Sequence, residues 1–444
     1  MTDADVAALA PALILAAGAL VAALLAIPAR IGPRLLAWFG VVTGVAAAVS
    51  AAAVGAGPPA LSGLLARDGA GVFFAAAISI VAAAVLALAA ADPRRPGPSR
   101  SEAALVLVSA SGGALAVSAT DLIALVVGLV LLTLPYALTA RASPRRQGER
   151  GTGRFLLGVS SCLVALLGIA LIYVASGDSG YAGLARAAAS QLYLAGLALV
   201  LAGLVFQTVL APGQRGSLVV NVAIVGVLLR FVAVTRSGGV ALDWIVSFGA
   251  LAAVAVMVAG LAALTERRVR RLVAYATISQ LGYVSVATAA FAPPEAAFAL
   301  CASTAIGLGL FGLLAVLPQD EPVLGDLAGL ARQRPVLVLG LGVLVLGAIG
   351  LPPTAGFVAK IYTLEAAVRA QLLWLVVLGA LATVVSAAAY VRLVLVCFAA
   401  PRPDAVAPPR ARIVTAVVVL AALAVVGAGL VRGPLFQAAL TVRY

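Results

Sequence analysis

The chain has 444 residues, 64% of them hydrophobic and only 10% charged, with a formal net charge of +13. That balance excludes a soluble globular domain and defines a polytopic membrane protein, whose positive excess belongs to lipid headgroups and topology rather than to nucleic acid. Histidine is absent, and Cys162, Cys301 and Cys397 lie singly in apolar runs, so no disulfide framework and no zinc or iron–sulfur spacing is present in the sequence.

The acidic start, Met1-Thr2-Asp3-Ala4-Asp5, is unlike a signal peptide, so the first apolar stretch is expected to be a retained span. Segments long enough to cross a bilayer, about 20 residues each, then recur with short polar gaps. They fall at 6–27, 34–54, 69–91, 102–119, 120–140, 154–176, 190–212, 217–235, 244–264, 272–292, 295–317, 336–368, 370–398 and 412–432. The pattern predicts an all-α membrane protein of about fourteen transmembrane helices. The fourth and fifth spans are separated only by Ala119-Thr120-Asp121, and the twelfth is too long for one straight crossing.

Basic residues in short loops stay cytoplasmic. Gaps after odd-numbered spans hold most loop arginines, among them Arg94, Arg95, Arg145, Arg146, Arg267, Arg268, Arg270, Arg271, Arg332 and Arg334. Gaps after even spans hold only Arg67, Arg186, Arg236 and Arg369. The alternation predicts an even number of spans with both termini extracytoplasmic. The arginine-rich, lysine-poor composition points to a high-GC bacterial genome, and the location expected is the bacterial inner membrane.

Two spans are expected to be broken. Span 7 runs into Pro212, and span 12 contains Gly350-Leu351-Pro352-Pro353. Proline frees backbone carbonyls, which membrane depth tolerates only against protein or a hydrated cavity. The two breaks lie five spans apart, and paired broken helices in two five-helix units mark an inverted-repeat transporter fold.

Lys360, the chain's single lysine, lies shortly after the double proline. A desolvated lysine can release its proton near neutrality and an arginine cannot, so Lys360 is the first candidate for proton handling. The competing reading is that its amine merely caps carbonyls freed by the prolines. Arg230 in span 8 and Glu365 in span 12 are the other ionisable groups placed inside the membrane. Arg230 could be a fixed charge, pair with an acid on a neighbouring helix, or snorkel toward the span end. Glu365 lies five residues past Lys360, roughly 140° around the helix, so a pair between them is not expected; it is kept as a supporting polar residue, with a carboxylate near the helix end reaching headgroups as the preferred reading. Thr363 at i+3 and Gly356 at i−4 share the lysine's face, offering a hydroxyl partner and room for water. Tyr275, Thr277, Ser279, Gln280 and Tyr283 in span 10 could line a wet path, or simply glue helices together. Gly307-Leu308-Gly309-Leu310-Phe311-Gly312 matches a dinucleotide-binding pattern, but it lies in mid-span without the required strand, and close helix packing explains it better.

Arg270-Arg271-Leu272-Val273-Ala274-Tyr275-Ala276-Thr277-Ile278-Ser279-Gln280-Leu281-Gly282-Tyr283 resembles the "KRLLAYSSIAxxGY" signature of the antiporter-like membrane subunits of respiratory complex I. Asp326-Leu327-Ala328-Gly329-Leu330 with Gly350-Leu351-Pro352-Pro353-Thr354-Ala355-Gly356-Phe357-Val358-Ala359-Lys360 is similar to their "DLxGL…GxPPTAGFxGK" element, and Ser386 to Arg392 to "SxYYYLR". Within that family the likeness is to subunit N of NADH-quinone oxidoreductase, and it covers about 265–395 well. The resemblance implies three N-terminal helices (1–101), two inverted five-helix units (102–235 and 244–398) and a final helix with its tail (399–444). It implies protons moved along a central line of lysines and a glutamate. Lys360 matches the lysine of broken helix 12, and Arg230 falls where a helix-8 lysine is expected. Val130 replaces the glutamate ahead of "LLSLPLY", Val200 or a neighbour replaces the helix-7 lysine, and "PFHxWxPD" is reduced to Phe206, Gln207 and a proline.

The reading preferred from sequence is therefore a membrane-arm subunit of a proton-translocating NADH-quinone oxidoreductase. Lys360 is its titrating site on the outward half and Arg230 its fixed central charge. Quinone, FMN and iron–sulfur clusters are expected in partner subunits, with no cofactor and no redox site in this chain. The alternatives are a non-pumping structural membrane-arm subunit, or a subunit of a cation/proton antiporter or membrane-bound hydrogenase.

Overall fold

The computed structural model describes residues 3–27, 31–92, 99–142, 149–187, 190–210, 216–237, 242–317, 322–400, 411–431 and 437–442. Among the described residues the main helices, in chain order, are α1 Asp3–Ala26, α2 Pro33–Val54, α3 Gly69–Ala90, α4 Arg100–Ser118, α5 Leu122–Ala142, α6 Glu149–Ser176, α7 Tyr181–Ala187, α8 Gln191–Leu210, α9 Ser217–Ser237, α10 Leu242–Thr265, α11 Val269–Ala289, α12 Pro293–Val316, α13 Leu330–Gln333, α14 Pro335–Ile349, α15 Ala355–Arg369, α16 Leu373–Phe398 and α17 Arg412–Leu430. Among the described residues there is no strand, only isolated bridges.

Ten of these helices (α1–α4, α6, α9, α11, α12, α16 and α17) are long and apolar enough to cross a membrane. Shorter apolar stretches in α5, α8, α10 and α14 occupy the places of spans 5, 7, 9 and 12. Two short helices, α7 and α13, lie in gaps between spans. The chain is an integral membrane protein, and its outward helix faces carry the apolar side chains this requires: Leu20, Val42, Val377, Val384 and Leu395 are each more than half exposed.

Helix boundaries follow local chemistry. Proline opens α2, α12 and α14, where its missing N–H costs nothing. Ser99 and Glu102 form a capping box at the start of α4. The narrow gap between spans 4 and 5 is real, because α4 stops at Ser118 and α5 begins at Leu122. Span 12 is two helices: α14 ends on Gly350 in the left-handed conformation (φ 86°), and α15 starts beyond the prolines with Thr354 as N-cap, its Oγ1 accepting from Phe357 N at 3.4 Å. The break expected at Pro212 lies outside the described residues, and α8 is continuous to Leu210.

The chain divides into two compact units, Met1–Ala90 with Gly97–Leu242 and Thr441–Tyr444, and Ala91–Pro96 with Asp243–Leu440. In the first, α9 is the central element, about nine-tenths buried over Ser217–Val234 and packed on α3, α4, α5, α7 and α8. In the second, α12 is central and packs on α11, α14, α15 and α17. Gly309 of the glycine-rich stretch sits in mid-helix, where an added Cβ would collide with Leu344 of α14, so close packing accounts for it.

Candidate functional site

The break between α14 and α15 creates the site. Ending α14 at Ile349 leaves carbonyls without a following N–H, and Lys360, one and a half turns into α15, supplies them with a donor. Its Nζ donates to Ile349 O at 2.9 Å and Ala348 O at 3.0 Å, and the residue is only 6% exposed. The side chain lies across Gly350, where an added Cβ would come within 2.7 Å of Lys360 Cδ. Glycine is therefore required there both by backbone conformation and by the lysine's path.

Two further elements complete the shell. From α11, Gln280 Nε2 donates to the same Ala348 carbonyl at 2.8 Å, and the Tyr283 ring lies under the amine, 4.6 Å from Nζ to centroid, within cation–π range. The Tyr283 hydroxyl donates to Gly379 O at 2.6 Å and also contacts Thr383 of α16. Thr383 Oγ1 is 3.5 Å from Nζ and donates to Gly379 O at 3.1 Å. Among the described residues no carboxylate pairs with Lys360. The amine is held by carbonyl oxygens, a hydroxyl and a π face, none of which can take a proton and keep it. Thr363 is fully buried, and among the described residues its Oγ1 has no hydrogen-bond partner.

Several expectations need correction. Gly356 provides no room for water, because it is pressed against the Gly347 carbonyl of α14 and lets the two half-helices touch. Glu365 is not on the path: its side chain is 55% exposed and bonded at 3.2 Å to Arg369, which also meets Glu295. Thr277 is turned back on its own helix, donating to Val273 O at 3.0 Å, and Tyr275 makes no hydrogen bond to the cluster. Of the α11 polar run, only Ser279, Gln280 and Tyr283 face the lysine's surroundings.

Arg230 sits near the end of α9 in the first unit. Its NH2 group donates to Asp68 at 2.8 Å and its Nε to Val117 O at 2.9 Å, in the last turn of α4. Asp68 lies just before α3 with its side chain 28% exposed, and also accepts from Gly71 N at 2.7 Å. The guanidinium is thus at the level of helix ends rather than at mid-depth, and the acid-paired alternative describes it. Tyr181, which opens the short helix α7, packs edge-on against Phe231, and burial pushes its phenol up against the opposing pull of Arg230. Val200 is fully buried. Sequence reasoning missed Asp68, read as loop, and Thr383 and Tyr390, whose i, i+3, i+7 spacing with Ser386 was the available signal.

Residues 216–386 match the family model described as NADH:quinone oxidoreductase/Mrp antiporter, TM, a segment that contains both Arg230 and Lys360. A polytopic helical protein with a lysine on a proline-broken helix is thus of the antiporter-like class of membrane subunits. NADH-quinone oxidoreductase subunit N 2 of Roseiflexus castenholzii is 31% identical over 88% of this chain and 86% of its own length. Subunit N of a Mycobacterium species is 30% identical over 80% of each. Among solved structures, a chain of respiratory complex I from Thermus thermophilus superposes with a TM-score of 0.82 at 28% identity, over 96% of this chain and 98% of that one. A chain of the Mrp complex from a Dietzia species shares the fold, with a TM-score of 0.84 at 19% identity, over 99% and 97%. The chain belongs to the subunit N family of NADH-quinone oxidoreductases.

Proposed function

We propose that the chain is a membrane-arm subunit of a proton-translocating NADH-quinone oxidoreductase, in which Lys360 takes up and releases protons. The observation that carries this is the amine's setting: a lone basic group, nearly fully buried, at a helix break that supplies only neutral partners. Such an amine can exist in both protonation states within one packed structure. The Ala348 carbonyl keeps its Gln280 donor when the lysine lets go, so the break survives the change. Arginine at this position would hold its charge permanently. The names of the relatives support the assignment to the complex, and the subunit is read here as part of an enzyme whose redox chemistry, with quinone, FMN and iron–sulfur clusters, resides in its partners.

The bacterial relatives support a bacterial inner-membrane location, and the arginine asymmetry of the loops supports placing both termini outside the cytoplasm. The same alternation supports fourteen spans, and the paired breaks support two inverted five-helix units. Tagging the chain, extracting it in mild detergent and identifying what co-purifies tests the assignment. Quinone-reducing, flavin and iron–sulfur subunits are expected, whereas hydrogenase or antiporter partners would refute it.

A second reading, confined to the first unit, is favoured by its side chains. Arg230 is occupied by Asp68 and Val117, and valines stand at positions 130 and 200. On this reading the first unit braces the membrane arm and does not conduct. A file of ordered water through spans 4–8 would contradict it.

A further inference from the structure

The aromatic ring beside the lysine is held from two helices. Tyr283 is 3% exposed and forms a buried cluster with Val256 of α10 and Ala382 of α16, against which Met257 packs. Its edge meets Gly379 of α16, where an added Cβ would lie 3.5 Å from Tyr283 Cε1, and its hydroxyl is tied to the Gly379 carbonyl at 2.6 Å. With edge and hydroxyl so fixed, one face of the ring is presented to Lys360 Nζ, 4.6 Å from the centroid.

The neighbours of Nζ respond differently to its proton. An ammonium has three N–H donors, whereas a neutral amine has two and a lone pair. Either form can therefore bond the Ala348 and Ile349 carbonyls, and Thr383 Oγ1, 3.5 Å away, can accept from the first or donate to the second. A ring face attracts a cation through its quadrupole and offers an uncharged amine no comparable attraction. Around the lysine, α15 packs on α11, α12, α14, α16 and α17. The charged side chains of those helices stand toward helix ends: Arg270 and Arg271 on α11, Glu295 on α12, Arg392 on α16 and Arg412 on α17. Glu365 and Arg369 pair with each other at the end of α15. The remaining ionisable side chains of these helices are tyrosines and cysteines.

We propose that Tyr283 is a positioning residue for proton transfer, its ring face rather than its hydroxyl holding the Lys360 amine and favouring the ammonium form. The ring does here what a carboxylate partner would do, without adding a second group that can take the proton. The functional part of this inference rests on the reading of Lys360 as a proton-handling group; the contact between ring and ammonium does not.

Lys360 is the chain's single lysine, so lysine labelled at Cε and Nζ gives one side-chain NMR signal in the purified full chain, and its titration reads the ratio of ammonium to amine. Tyr283→Leu is expected to lower that ratio about ten-fold at a given pH, equivalent to about 1.4 kcal/mol, while Tyr283→Phe keeps most of the wild-type ratio. A ring that only fills space predicts an unchanged or raised ratio in Tyr283→Leu, because water admitted beside the smaller side chain would stabilise the ammonium. That result overturns the proposal, as does a loss in Tyr283→Phe as large as in Tyr283→Leu. If Tyr283→Leu does not fold, 3,4,5-trifluorophenylalanine at position 283 keeps the ring's shape and withdraws charge from its face; a ratio equal to that of Tyr283→Phe then overturns the proposal. In the assembled complex in sealed vesicles, Tyr283→Leu is expected to translocate fewer protons per NADH oxidised than Tyr283→Phe. Equal values for the two, with Lys360→Ala impaired, overturn the role of the ring in transfer and leave that of Lys360 standing. An unchanged value in Lys360→Ala overturns the reading of Lys360 and with it the transfer role of Tyr283, whatever the titration shows.

Discussion

The two donors on the Ala348 carbonyl make a quantitative prediction. In Gln280→Met, Ala348 O retains Lys360 Nζ at 3.0 Å, so no carbonyl is orphaned. In Lys360→Met, Ala348 O retains Gln280 Nε2 at 2.8 Å, while Ile349 O loses the donor it has. Only the double variant strips Ala348 O of both. Leaving one buried carbonyl unsatisfied costs about 1–2 kcal/mol at membrane depth, and this cost enters the cycle once, as coupling. The relief from no longer burying an amine appears equally in the single and double variants and cancels. The double variant is therefore expected to be less stable than the sum of the singles by about 1–2 kcal/mol, roughly a 5–30-fold change in the folded ratio. Equilibrium unfolding of the purified subunit in detergent with increasing SDS reads the four proteins. Additivity within about 0.3 kcal/mol would refute the shared-carbonyl arrangement.

Three other outcomes are expected. Gly350→Ala forces an alanine to φ 86° and crowds Lys360 Cδ, which should destabilise the chain by about 1–2 kcal/mol in the same unfolding assay. Asp68→Ala removes the carboxylate from a guanidinium whose side chain is only 7% exposed. Because Asp68 itself reaches solvent, the cost should be about 1–3 kcal/mol, below that of a fully buried pair, and Arg230→Met in the same background should recover part of it. Glu365→Gln removes an exposed i, i+4 pair worth about 0.3–0.5 kcal/mol and should leave proton translocation unchanged in vesicles, since the side chain points away from the lysine cluster.

The helices were legible because lipid imposes long apolar runs and polar gaps, and most starts and stops, such as Pro33, Pro293 and Pro335, are written locally. The break at Gly350-Leu351-Pro352-Pro353 was legible for the same reason. What the sequence did not show is which polar residues share a partner. Gln280 and Lys360 lie on different helices and converge on a backbone carbonyl, a meeting that no spacing encodes. Thr277 and Ser279 look alike in sequence, but one is turned back on its own helix and the other is buried near Tyr390. Arg230 looked like a mid-membrane charge because distance along a span says nothing about Asp68, which comes from a loop far away in the chain. Gly356 was misjudged because a small residue can equally admit water or a neighbouring backbone, and packing against the Gly347 carbonyl decides for the latter.

The most direct test of the role of Lys360 is the number of protons translocated per NADH oxidised by the assembled complex carrying Lys360→Ala, with Lys360→Arg alongside. Both variants are expected to assemble and oxidise NADH while translocating fewer protons per NADH, arginine failing because it keeps its charge. An unchanged ratio in either variant would contradict proton transfer through this amine and leave it as a cap on the broken helix.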